Sequence, residues 1–203
     1  MTAILLSGGL DSTALAFWKK PDVAYTVNYG QVSADAEIKS SKRIASLLQI
    51  DHKILSFDLS SIGSGDLVNK EASSFAPKTD WWPFRNQILL TLTCSAIISE
   101  NINIHTLIFG TVSSDSYHKD GTNEFFEAFN NLLSKQEGDI RIATPAINLS
   151  TSEIIRISGI TLEQISWTHS CHKSNLACGN CRGCYKHQNT MEELGWSLSK
   201  VSK

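Results

Sequence analysis

Ile4-Leu5-Leu6-Ser7-Gly8-Gly9-Leu10-Asp11-Ser12-Thr13 is the stretch on which the fold turns. An apolar run suited to a buried strand breaks at Ser7-Gly8-Gly9, and Asp11-Ser12-Thr13 opens a helix that continues through Ala14-Leu15-Ala16-Phe17-Trp18. Two adjacent glycines let the backbone take positive φ and approach a ligand closely, while the unpaired N–H groups of a helix's first turn attract anions. A pyrophosphate suits such a turn. The stretch carries neither the Gly-Lys-Ser/Thr ending of a Walker A loop nor G-x-G-x-x-G. Taken alone, it fits a plain capped βα turn as well.

The 203 residues, 41% hydrophobic, suffice for one core with a small appendage. A formal charge of -2 gives no global basic field, which argues against nucleic-acid binding by a charged surface. No signal-type N-terminus appears, and no apolar run nears the roughly 20 residues that span a bilayer. The expectation is a cytoplasmic protein with no membrane partner. Cys94 stands alone in an apolar helical stretch and reads as a buried small residue.

Working outward from the loop, residues 23–31 alternate β-branched and aromatic residues and end at Tyr29-Gly30-Gln31, which reads as a second strand. Residues 34–48 form an amphipathic helix with Ile38, Ile44, Ala45, Leu47 and Leu48 on one face, and residues 52–59 form a third strand. Strand and helix thus alternate as a parallel sheet requires. Residues 60–79, broken by serines, glycines and Pro77, read as a long loop or lid. Asp80-Trp81-Trp82-Pro83-Phe84-Arg85-Asn86-Gln87 then leads into an apolar helix. Arg85 opposes the dipole at that helix start unless an anion such as phosphate lies nearby. A further strand ends at Gly110, and the polar run after it, with Ser113, Asp115, Tyr117, His118 and Lys119, falls on the same ligand-facing sheet edge. A helix over 123–133, a strand stopped by Pro145, and a helix opened by the capping-box pair Ser150 and Glu153 complete the α/β pattern.

Cys171, Cys178, Cys181 and Cys184 have the spacing C-x6-C-x2-C-x2-C. Four thiolates at that spacing can close a tetrahedron around Zn²⁺, and a closed set of four favours a structural role. An iron–sulfur cluster is the competing occupant. His169, His172 and His187 flank the knot and are expected not to be ligands, since four sulfurs suffice.

The loop at Ser7–Ser12 resembles the PP-loop of the N-type ATP pyrophosphatases. With Tyr29-Gly30-Gln31, Pro83-x-Arg85-Asn86 and the terminal cysteines in one order, the chain resembles the 7-cyano-7-deazaguanine synthase family of the queuosine pathway. The resemblance implies an α/β, parallel-sheet, adenine nucleotide α-hydrolase-like (Rossmann-like) domain over 1–165, with a small helical four-cysteine zinc region over 166–203. It implies ATP, Mg²⁺ and Zn²⁺ as cofactors, 7-carboxy-7-deazaguanine as substrate, and a homodimer. ATP would adenylate the substrate carboxylate, ammonia would displace AMP to give the amide, and a second ATP-driven step would give the nitrile. Carried onto this chain, the resemblance implies that Ser7, Gly8, Gly9, Leu10, Asp11, Ser12 and Thr13 bind the phosphates, that Tyr29, Gly30, Gln31 and Gly110 border the nucleotide, and that Arg85 with Asn86 faces the phosphates or the acyl adenylate. Asp11, Ser12, Arg85 and Asp115 serve catalysis. The substrate-side set is Trp82, Phe84, Asp115, His118 and Lys173, and the metal set is Cys171, Cys178, Cys181 and Cys184.

Two departures stand out. Typical synthases carry glycine where Phe84 stands, and the segment that recognises the deazaguanine keeps Asp115 but otherwise reads Ser116-Tyr117-His118-Lys119-Asp120-Gly121-Thr122. In this the chain resembles divergent members found with anti-phage systems, some of which stop at an amide and join the deazaguanine to a protein amine. Other readings are a tRNA-modifying PP-loop enzyme and a non-catalytic nucleotide fold with a zinc knuckle. Compact cysteines and the lack of a basic surface disfavour the first; the intact Ser-Gly-Gly-x-Asp-Ser string disfavours the second.

Overall fold

The computed structural model describes residues 1–196. The last seven residues of the expected C-terminal region, 197–203, lie outside them. Thr2–Leu5 (β1), Val23–Asn28 (β2), Asp51–Ser56 (β3), Thr106–Ile108 (β4) and Arg141–Ala143 (β5) form one sheet in the order β3-β2-β1-β4-β5. Every neighbouring pair is parallel, so each connection must cross over. The crossovers use Leu10–Lys19 (α1), Ala34–Leu48 (α2), Arg85–Ser99 (α3) and Asn123–Leu133 (α4); Thr151–Ser158 (α5), Leu162–Ile165 (α6) and Arg182–Glu193 (α7) follow β5. The expected α/β class and parallel sheet are what the chain adopts.

The period-two rule of a strand divides the core. Ala3 and Leu5 of β1 join Tyr25, Val27 and Leu107 under α3 and α4, where Leu90, Cys94, Ile97, Phe126 and Phe129 are buried. Ile4 and Leu6 point to the opposite side, onto Ala14, Leu15, Ile44, Ile154 and Ile155 of α1, α2 and α5. Cys94 sits in this packing as expected, and burial pushes its thiol up to about 11.

Local chemistry sets the boundaries. The second strand stops at Asn28, short of Gln31, because side chains replace the ladder: Gly30 N–H donates to Asn28 Oδ1 at 3.1 Å and Tyr29 N–H to Gln31 Oε1 at 2.9 Å. The Ser150–Glu153 capping box forms as expected, with Ser150 N–H donating to Glu153 Oε2 at 2.7 Å and Glu153 N–H to Ser150 Oγ at 3.3 Å. The segment expected as a free loop or lid is instead tied down. Its short 3₁₀ turns, Ser60–Ile62 and Gly65–Val68, lie beside the end of β2, with Leu59 N–H on Tyr29 O and Val32 N–H on Leu67 O. Leu67 and Trp82 are buried and join the core.

Trp82, expected on the substrate side, plugs that core: 2% exposed, it meets the Tyr29 ring edge-on at 4.8 Å. Phe84 is the residue that faces out, 70% exposed, at the left-handed N-cap of α3 with φ 53°. That backbone conformation disfavours any residue with a Cβ, which gives the glycine of typical synthases a physical reason. Phe84→Gly should therefore leave stability level or raise it by up to about 1 kcal/mol, whereas Phe84→Val should cost about 1 kcal/mol or more, as read by urea unfolding.

Candidate active site

In an open parallel sheet the ligand crevice lies where neighbouring strands leave in opposite directions along the sheet. Here that point falls between β1, whose crossover leads to β2, and β4. The Ser7-Gly8-Gly9 turn follows the first of these strands and Phe109-Gly110-Thr111 the second, and both line one cavity of about 260 Å³. Gly8 stands at φ +77°, and a Cβ there would fall 2.6 Å from Ser40 Cβ of α2. A Cβ on Gly110 would press to 3.2 Å from Ser12 Cα. The glycines thus let α2 close under the loop and the β4 exit close onto the start of α1.

Gly9 is the N-cap of α1 and no side chain caps it, so the helix's first N–H groups open toward the cavity without a side-chain acceptor. Ser7 Oγ lies 3.0 Å from Ser12 Oγ and accepts from Gly9 N–H at 3.3 Å, which fixes the turn. Asp11 is held from two sides: Thr151 Oγ1 donates to its Oδ1 and Lys186 Nζ to its Oδ2, each at 2.7 Å. Asp115 turns one oxygen to Val112 N–H at 3.1 Å and the other to Lys186 Nζ at 3.6 Å. Burial pulls Lys186 down, but Asp11 and Asp115 outweigh it, and the net shift is upward.

Arg85 opens α3 at the cavity wall. Among the described residues no carboxylate lies within 4 Å of its guanidinium, although Asp80, Asp115 and Asp120 stand near enough to favour its charge. Asn86 does not face outward for a ligand alone. Its N–H donates to Asp120 Oδ2 at 3.2 Å and its Nδ2 to Asp120 O at 2.8 Å, which ties α3 to the loop after β4. His118 and Arg182 meet at 3.2 Å, and Arg182 also reaches Asp80 at 3.4 Å. His172 Nδ1 lies 3.5 Å from the other Asp80 oxygen. Asp80 is therefore shared by the 60–84 excursion and the cysteine region.

Of the residues expected here, Ser7, Gly9, Leu10, Asp11, Ser12, Tyr29, Arg85, Asn86, Gly110, Asp115 and His118 line the cavity. Gly8, Thr13, Gly30 and Gln31 stand behind its wall: Gly8 O accepts from His169 N–H at 2.9 Å, and Gln31 Nε2 donates to Glu37 Oε2 at 2.9 Å. Trp82, Phe84 and Lys173 do not border it; Lys173 instead pairs with Asp66 at 3.4 Å. Trp82 borders instead a small recess beside the cavity, with Trp81, Asp80, Arg85, His118 and Asp120. Glu37, Asp80, Asp120, Arg182 and Lys186 line the cavity without having been singled out in the sequence. The available signal was Arg182 and Lys186, two cations at helical spacing beside Cys181 and Cys184.

The four cysteines come together, with all four sulfurs within 4.8 Å of one another and the pairs Cys171–Cys181 and Cys178–Cys184 at 3.9 Å. They can hold a metal ion. Cys171 also lines the cavity, so the knot is part of its wall. The flanking histidines turn elsewhere: His169 Nε2 to Ser174 O at 3.0 Å and His187 Nδ1 to Ser170 Oγ at 3.1 Å.

The family model for queuosine biosynthesis protein QueC matches residues 2–195. The chain belongs to the QueC family. Among curated relatives, the 7-cyano-7-deazaguanine synthase of Methanococcus maripaludis strain S2 is 29% identical over 220 residues, covering 94% of each chain. That of Chloroherpeton thalassium is 33% identical over 213 residues, covering 95% of this chain and 92% of its own. A solved structure, the U34-tRNA thiolase NcsA from Methanococcus maripaludis with its [4Fe-4S] cluster, aligns over 95% of this chain and 65% of its own, at 16% identity and TM-score 0.48. The queuosine-pathway synthase role expected from the motifs is the role this QueC-family membership supports. Among the described residues no helix is long and apolar enough to cross a membrane.

Glu37 gives the cavity a pH signature. Burial pushes its carboxyl upward, against the pull of hydrogen bonds from Ser33 and Gln31 and of the Arg85 charge. The folded state then binds this proton more tightly than the unfolded chain, so stability falls as pH rises from the ordinary value of 4.5 through the raised one. Glu37→Gln should gain in unfolding midpoint relative to the parent chain as pH goes from about 4 to about 8. A gap that stays constant over that range would refute the upward shift.

Proposed function

We propose that the cavity binds ATP and activates the carboxylate of 7-carboxy-7-deazaguanine as an acyl adenylate, which ammonia then converts to the amide. The observation that carries this reading is the convergence on one cavity, at the reversal point of the sheet, of the α1 N-terminus, Arg85 with no carboxylate within 4 Å, and Asp11. That QueC-family relatives are named as 7-cyano-7-deazaguanine synthases supports a 7-deazaguanine substrate.

In the first step a substrate carboxylate oxygen attacks the α-phosphorus, the bond to the bridging oxygen breaks, and its electron pair leaves with pyrophosphate. Negative charge grows on the phosphoryl oxygens. The N–H groups in the first turn of α1, together with Arg85, would stabilise that charge as preorganised donors, which is the economical way to lower such a barrier. In the second step the ammonia nitrogen attacks the acyl carbon, the acyl C–O bond breaks with its electron pair leaving on AMP, and the surplus proton on nitrogen passes to water to give the neutral amide. No protein nucleophile is needed. The cavity wall carries Asp11, Glu37, Asp80, Asp115 and Asp120 against Arg85, Arg182 and Lys186, so it is acidic before a polyanion enters. Oxygen donors of that kind suit Mg²⁺, which when bound with ATP would neutralise the phosphates at Asp11 and Asp115.

At the cysteine knot we assign Zn²⁺. Bonds of about 2.3 Å in a tetrahedron bring sulfurs to within roughly 3.8 Å of one another, and an iron–sulfide cube between them would spread them further. The 3.9 Å pairs support the single ion. With four thiolates the ion's work is to fix the wall that Cys171 forms.

Incubation with ATP, Mg²⁺, 7-carboxy-7-deazaguanine and ammonia should yield AMP, pyrophosphate and the amide by mass spectrometry. Nitrile among the products would extend the reaction, and absence of AMP with every acceptor would overturn the reading. Asp11→Ala should slow AMP release by about a hundredfold or more. Cys181→Ser should lose metal by inductively coupled plasma mass spectrometry and melt at lower temperature.

A further inference from the structure

α7 is a helix without an apolar stripe, Arg-Gly-Cys-Tyr-Lys-His-Gln-Asn-Thr-Met-Glu-Glu, and it begins inside the cysteine knot. Cys181 is its N-cap, with the sulfur accepting the Cys184 N–H at 3.4 Å, and Cys184 lies in its first turn. The two sulfurs that start the helix also set its rotation. Arg182 and Lys186, at i and i+4, share the face so fixed, and both line the cavity. Cations near a helix N-terminus oppose its dipole, and no acidic residue offsets them in the first turn of α7. Their compensation comes from across the cavity.

For Arg182 that partner is Asp80. For Lys186 it is a pair of carboxylates from two separate elements, Asp11 of α1 at 2.7 Å and Asp115 of the loop after β4 at 3.6 Å. The Nζ thus lies beside the first turn of α1, where the backbone N–H groups already favour phosphate. An ammonium between two carboxylates beside an anion-binding helix end neutralises like charges that would otherwise repel, and it has hydrogens to give to an oxyanion.

We propose that Lys186 is a resident cation of the nucleotide site and a catalytic residue that touches the phosphate chain. This rests on the ATP reading above. While the carboxylate oxygen attacks the α-phosphorus and the bridging electron pair leaves with pyrophosphate, Lys186 keeps its proton and donates to a phosphoryl oxygen. By filling the space between Asp11 and Asp115 it also keeps a free divalent cation from settling there, so the metal enters with the nucleotide. The cysteine knot acquires a role through this residue: it aims a cation at a loop far away in sequence.

The test uses the zinc-loaded chain, with Lys186→Met and Lys186→Arg. Titration of nucleotide-free protein with Mn²⁺, followed by electron paramagnetic resonance, should show a site in Lys186→Met that tightens at least tenfold over the parent chain, because two carboxylates are released to share the ion. Calorimetry with Mg²⁺ and the non-hydrolysable α,β-methylene-ATP should show at least tenfold weaker binding by Lys186→Met and recovery to within about threefold by Lys186→Arg. Zinc content and far-ultraviolet circular dichroism check that α7 is intact; Lys186→Gln replaces the methionine variant if that one does not fold. Unchanged Mn²⁺ binding, or nucleotide binding equal to the parent chain, overturns the proposal and leaves a structural ion pair. A parent chain that binds no analogue overturns the ATP reading instead, and the Mn²⁺ titration, which uses no nucleotide, then decides alone whether Lys186 fills the carboxylate pair.

Discussion

The architecture depends on backbone approaching backbone at the exit of two strands. Gly8 at φ +77° leaves room for Ser40 of α2, and Gly110 leaves room for Ser12 of α1. Any Cβ at Gly8 would push α2 off the loop and move the N-terminus of α1 with it. Because the connections from β1 and β4 run in opposite directions along the sheet, the same close packing that joins the helices to the sheet also leaves the cavity between them. An uncapped helix end inside a protein is costly unless something occupies it. That requirement is what makes a packing solution a candidate binding site.

Electrostatics then decides what the cavity can accept. Arg85 stands at the start of α3 against its dipole, with the nearest acids held by other groups: Asp120 by the Asn86 N–H, Asp115 by Val112 N–H and Lys186, Asp80 by Arg182. Each carboxylate is partly used, and none closes on Arg85 within 4 Å among the described residues. A guanidinium in that position keeps its affinity for an incoming anion. The acids around it disfavour a bare polyanion and favour one that brings its own divalent cation. Opposed signs on one wall are therefore selective rather than merely neutralising.

How much of this was legible follows from the range of the signals. The apolar run Ile4-Leu5-Leu6, the strand and helix patterns that alternate after it, and the Ser150–Glu153 box are local patterns whose meaning survives packing, so the parallel α/β fold could be read from them. The glycine loop and the cysteine spacing are local too. What escaped was long-range. Lys186 reaches Asp11 across 175 positions, and nothing in either neighbourhood names the other. The helical character of the cysteine region was expected, but the bounds of α7 were not legible because its sequence has no apolar period, with only Gly183 and Thr190 of the helix buried. An aromatic pair beside proline suits a ligand wall as well as a core, and taken alone it favours packing. The left-handed turn at Phe84 decides between them by sending Trp82 inward against Tyr29 and leaving Phe84 outside.

A polar helix of this kind cannot be held by burial alone. α7 offers little apolar surface, and its contribution to the second core layer comes at its far end, through Met191, Leu194 and Trp196. Its near end, where Arg182 and Lys186 leave, depends on the cysteines. If four thiolates on one ion fix that end, the free energy of metal binding is also the free energy that orders the cavity wall, since a preformed site rarely exists without the metal. The His169 N–H on Gly8 O carries the same restraint directly into the glycine turn. The knot is thereby coupled to the glycine loop by a backbone hydrogen bond and by the Lys186–Asp11 pair. A metal centre with no open coordination position can still control catalysis in this way, by deciding where a distant cation stands.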